Sequence, residues 1–174
     1  LEFRRVLFRS FHVGGAPARY DGGLTHVLDL QTRTARRDRL RASATVDLLS
    51  GGAVIEQPLG DAAGLLVSAR TLHDGGTGLL GGGNSPYGYS DVLATFDADL
   101  GRIGSVRATG FRNRESVFLD FASSPGDARW GNDALTGTWS SHIGSAEVRA
   151  TLGASRYDAR LPLQPTPTED DPTP

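Results

Sequence analysis

The sequence predicts an all-β protein built as an antiparallel meander. Period-two alternation of apolar and polar residues recurs along the chain, no long window shows apolar residues at the three-four spacing of a helix, and glycine interrupts nearly every helical candidate. Side chains alternate across a strand, so each alternating run has one apolar and one polar face.

The opening LEFRRVLFRS, residues 1–10, resembles a translated adapter or vector junction. It is too short and too evenly charged for a signal peptide, and is expected to stand outside the fold. Seven strands are then expected near 40–49, 52–58, 64–72, 88–99, 103–113, 133–142 and 145–156. In the first, Leu40, Ala42, Ala44, Val46 and Leu48 oppose Arg41, Ser43, Thr45 and Asp47. In the fourth, Val92, Ala94, Phe96, Ala98 and Leu100 oppose Thr95, Asp97 and Asp99. In the last, Ala146, Val148, Ala150, Leu152 and Ala154 oppose Glu147, Arg149, Thr151 and Ser155. The tail 162–174 is proline-rich and acidic, with Glu169 to Asp171 read as solvated loop; it cannot pack a core.

The connections are unequal. Those at 59–63, 100–102 and 143–144 are short, whereas 73–87, 114–132 and 157 onward are expected as long loops. In an antiparallel meander alternate connections share an end, so one end has tight turns and the other long loops, as in an outer-membrane barrel. Tyr87, Tyr89, Phe111, Trp130 and Tyr157 fall near the long-loop ends, where an interfacial aromatic girdle is expected. Alternation leaves open which face is inside, since a soluble β-sandwich and a membrane barrel write the same pattern. The apolar faces lean on Ala and Val, which suits lipid better than an interlocking core.

Composition narrows the classes further. With 38% hydrophobic residues the chain is too polar for a helical membrane protein and too apolar for full disorder. It has no Cys, which excludes disulfides, thiol nucleophiles and Cys-bound zinc. All 18 basic residues are Arg, interleaved with acids so that no electrostatic stripe forms; nucleic-acid binding is not expected.

The stretch GGAPARYDGGLTHVLDLQTR and the RDRLRASATVDLLSGGAVIEQPLGDAAGLLVSARTL soon after it resemble TonB-dependent outer-membrane receptors, especially those with a carboxypeptidase-like regulatory domain ahead of the plug. The matches are the turn Pro17, Ala18, Arg19, Tyr20, Gly22 and Gly23, then Val27, Leu28, Asp29, Thr32 and Arg33, then Glu56 to Gly60, Val67 to Arg70, and Pro86-Tyr87. Asp21 is inserted in the turn, and Leu24 and His26 stand where the family has Arg and Ser. Gly22 and Gly23 allow the chain to reverse in a tight space. An ordinary hairpin turn would use them equally well.

The resemblance implies a plug end over 11–35, the first strands of an outer-membrane β-barrel over 36–161 and a cut loop over 162–174. The fold would be a partial transmembrane β-barrel of about seven strands. It further implies active transport of a scarce substrate, a siderophore, cobalamin or glycan, with outer-membrane lipid around the barrel. Energy would come from the TonB complex through an N-terminal box outside this stretch. Gly75, Gly76, Gly78, Asn84 and Tyr87 mark an expected external loop. A soluble secreted β-sandwich binding module and a passive porin or adhesin barrel are the alternatives.

No catalytic, cofactor or metal site is expected. Gly76 to Gly81 is a formal G-x-G-x-x-G, but the following GGNSPYGYS opens no helix to hold a pyrophosphate. His12, His26, His73 and His142 lack metal-ligand spacing. Ser85 lies between Gly83 and Tyr87 and makes no nucleophile elbow. Asp97 and Asp99 share a face and read as polar lining ahead of an acid–base pair.

Overall fold

A computed structural model describes residues 6–13, 26–73, 86–119 and 126–162, with side chains from residue 32 onward. The plug-type turn residues Pro17, Arg19, Tyr20, Gly22 and Gly23, and the loop residues Gly75, Gly76, Gly78 and Asn84, lie outside the described residues. Two strands, β1 (Val6–Val13) and β2 (His26–Thr32), pair antiparallel in a small sheet. The sequence alone sets residues 6–10 outside the fold, yet they belong to β1 and pair with β2. Main-chain pairing needs no particular side chains, so composition did not reveal it.

The remaining strands are β3 (Arg41–Val46), β4 (Ser50–Pro58), β5 (Ala63–Leu72), β6 (Tyr87–Asp99), β7 (Ser105–Leu119), β8 (Gly126–Ile143) and β9 (Ala146–Arg160). They form one open seven-stranded antiparallel sheet in sequence order. The expected meander is therefore observed, with longer final strands than alternation indicates. The sequence reading places loops at 114–132 and from 157, but β7 runs to Leu119, β8 starts at Gly126 and β9 runs to Arg160. In these extensions most outward positions, Arg114, Asp127, Arg129, Asp158 and Arg160, are charged, so the apolar half of the alternation fades while main-chain pairing continues.

Connections at one end, residues 59–62, 100–104 and 144–145, are tight turns. Each contains glycine with positive φ, such as Gly60 (73°) and Gly144 (64°), a conformation that suits glycine and few other residues. The opposite end carries 47–49, 73–86 and 120–125.

Register sorts the two faces. Ala42, Ile55, Val67, Ala94, Gly110, Leu135 and Ala154 lie side by side across all seven strands. The neighbouring row on the opposite face is Arg41, Glu56, Leu66, Thr95, Thr109, Thr136 and Gly153. Burial runs against the usual order. On the polar face Glu56, Ser68, Asp91, Thr95, Asp97 and Asn113 are buried, together with Leu66, Leu93 and Ala128. On the apolar face Val46 is 78% exposed and Leu152 82%, with Ile55, Val92, Leu135 and Ile143 also exposed.

The expected aromatic girdle takes a different place. Tyr87, Tyr89, Phe111, Trp130 and Tyr157 fall in phase with Asp91, Asn113 and Asn132, so all five share the polar face. The apolar face carries Phe96, Trp139 and, towards the long-loop end, Phe118 instead, and Trp139 Nε1 donates to the Ile103 carbonyl at 3.0 Å, beside a tight turn.

Candidate functional site

The segment between the two sheets is fastened to the polar face by two buried carboxylates. Glu56, on β4, accepts from Arg33 Nη2 at 2.8 Å and from the Arg36 backbone N–H at 2.9 Å. Asp97, on β6, accepts from Arg37 Nη2 at 2.5 Å and from the Ala35 backbone N–H at 3.3 Å. Each carboxylate thus holds one guanidinium and one main-chain donor, so both its oxygens are engaged. Between them Ala35 is buried against β5. A Cβ added to Gly64 would come 3.0 Å from the Ala35 Cβ, so the missing side chain on β5 is what lets the segment lie so close.

This clamp joins residues far apart in sequence. Arg33 and Glu56 both belong to the receptor-like matches, and the fold brings them together. Asp97 was legible only as a polar lining residue. It holds residues 35–37, while Asp99, on the same face, accepts from the Gly101 N–H at 2.8 Å in the following turn. The two carboxylates therefore have separate partners.

Towards the long-loop end the polar face continues as a connected network. Tyr87, expected in the loop, is the first residue of β6 and donates its hydroxyl to Glu115 at 2.7 Å. Glu115 also accepts from Asn113 Nδ2 at 2.8 Å, and Asn113 Oδ1 accepts from the Asn132 backbone at 2.8 Å. Arg70 pairs with Asp91 at 3.1 Å and sits over the Tyr89 ring, 4.9 Å from its centroid. Deeper on this face Ser68 Oγ and Thr95 Oγ1 are buried without a hydrogen-bond partner among the described residues.

The apolar face ends in a band of ion pairs at the same end. Arg112 and Arg114 meet Asp133 at 3.4 and 2.8 Å, and Arg156 and Arg160 meet Asp158 at 3.5 and 3.7 Å. Periodicity missed this band because it replaces apolar residues with charges in the same phase. Among the described residues no three His, Asp or Glu side chains gather in a way that could hold a metal ion. No family model, curated protein or solved structure matches the chain.

Proposed function

We propose that this chain is the plug exit and first barrel strands of a TonB-dependent outer-membrane receptor, an active transporter for a scarce siderophore, cobalamin or glycan. The observation that carries the reading is the burial: most of the covered side chains on one face are polar, while Val46, Ile55, Leu135 and Leu152 stand exposed on the other. A soluble protein buries the apolar side, whereas a barrel turns it to lipid. From Ala146 to Ala154 the apolar stretch of β9 rises about 26 Å along the strand, or about 20 Å at a barrel's tilt, near the ~25 Å band of outer-membrane barrels.

In this reading the polar face lines the lumen, and residues 33–37 are the point where the plug leaves for the barrel wall. Glu56 and Asp97 anchor that exit, so a pull on the plug is borne by two ion pairs and two main-chain hydrogen bonds. The Tyr87, Glu115, Asn113 and Arg70 network stands at the external mouth, where hydrogen-bonding groups suit a polar cargo. A soluble sandwich would bury Leu152 and expose Asp97, the reverse of the burial observed. The test places the chain, in its complete reading frame, in a Gram-negative host. Sedimentation with the outer membrane and cargo uptake that requires TonB are expected; a water-soluble periplasmic product would sink the reading.

A further inference from the structure

We infer that the outer face of β6–β9 carries a binding site for an anionic lipid with a phosphomonoester headgroup; the inference rests on the lipid-facing assignment just proposed. Two grooves meet on this face. The upper, of about 690 Å³, is walled by Arg112, Arg114, Arg129, Arg156 and Arg160. The lower, of about 480 Å³, is lined by apolar groups including Val92, Ala94, Leu135 and Ala154. They share Arg112, Asp133 and Arg156 as a common rim. A charged chamber opening directly onto an apolar one matches an amphiphile, headgroup above and acyl chain below.

Charge and local geometry fix the headgroup's sign and position. Against those five arginines stand Glu115, Asp133 and Asp158 in the lining and Asp127 paired with Arg129, an excess of one positive charge. The ion pairs are exposed, with Arg112 at 66% and Arg156 at 78%, so a headgroup can reach them. Their guanidinium groups can bind a phosphate bidentately. Glycine forms the floor: a Cβ at Gly131 would come 2.8 Å from Arg114 Nη1, and one at Gly88 2.6 Å from Ser116 Oγ. In the row below, Ala94, Gly110 and Ala154 are small beside the projecting Leu135, an apolar surface along which a chain can lie.

The test uses phosphatidylcholine vesicles holding the refolded chain and a trace of spin-labelled phosphatidic acid or spin-labelled phosphatidylcholine. The immobilised fraction of each is read by electron spin resonance. Phosphatidic acid should be favoured several-fold, and R112Q with R156Q should remove most of that preference. R149Q, on the polar face at the tight-turn end, should leave it unchanged. D133N, which frees Arg112 and Arg114, should strengthen it and serves if the double variant does not fold. Equal immobilisation of both lipids overturns the inference and leaves the barrel reading intact. Immobilisation of neither overturns both. Loss of the preference in millimolar inorganic phosphate would assign the site to free phosphate and overturn the lipid claim.

Discussion

Arg37 reaches over the polar face of the sheet to place Nη2 2.5 Å from Asp97 Oδ2, across 60 residues of sequence. The Ala35 N–H shares the same carboxylate at 3.3 Å, so one buried side chain fixes both a charge and a stretch of main chain. Asp97→Ala would leave that N–H buried and unpaired and the guanidinium without its partner. Arg37 is one-third exposed, which limits the loss to about 1–3 kcal/mol. Amide exchange at Ala35 should quicken roughly 10- to 100-fold while exchange in β8 stays the same. An unchanged rate at Ala35 would show that Asp97 does not hold the segment.

Gly64 and Gly137 should respond oppositely to alanine. At Gly64 the new methyl meets Ala35 at 3.0 Å, whereas at Gly137 it meets nothing within 4 Å. Gly64→Ala is expected to destabilise by about 1 kcal/mol through overpacking, and Gly137→Ala to stabilise by about 0.5 kcal/mol through reduced chain entropy. Urea midpoints of the two variants in the same detergent provide the comparison. Equal shifts would mean that Ala35 is not seated on β5.

Asp47 closes the turn between β3 and β4. The Ser50 hydroxyl donates to it at 2.6 Å, and the Leu49 and Ser50 N–H groups donate at 2.9 and 2.7 Å. The Ser50 hydroxyl first, then these main-chain donors, hold its carboxyl below the ordinary carboxylate range. A depressed native pKa means the turn's stabilisation is complete above the unfolded value and fades as pH falls through the native one, below about 4. The protection of Leu49 and Ser50, their exchange relative to the intrinsic rate at each pH, should therefore fall on acidification below pH 4, and Asp47→Asn should flatten that dependence. A dependence that survives in the variant would point to another group.

Much of the fold was legible because period-two alternation depends only on which face a residue takes. The runs around Ala44, Ala94 and Ala150 placed three strands and both faces correctly. The ends of β7, β8 and β9 were not legible, since Arg114, Arg129 and Asp158 keep the phase but drop the hydropathy that marks it. The aromatic girdle failed for a related reason: nearness to a strand end says nothing about phase, and Tyr89 and Trp130 lie in register with Glu115 on the polar side. The clamp was half legible. Arg33 and Glu56 stood out in the receptor-like matches, but their pairing, and that of Arg37 with Asp97, needs strands 20 to 60 residues apart to be aligned.

The claim that the alanine-rich face meets lipid is tested most directly by single cysteines, which are unambiguous in a chain with no native Cys. Spin labels would be placed at Ala94 and Ala150 on the apolar face, and at Thr109 and Thr151 on the polar face, with the chain in lipid vesicles. The account predicts that oxygen, concentrated in the bilayer, relaxes the labels at 94 and 150, and that a water-soluble nickel chelate relaxes those at 109 and 151. Relaxation by the chelate at 94 and 150, with 109 and 151 shielded from it, would contradict the account and place the apolar face away from lipid.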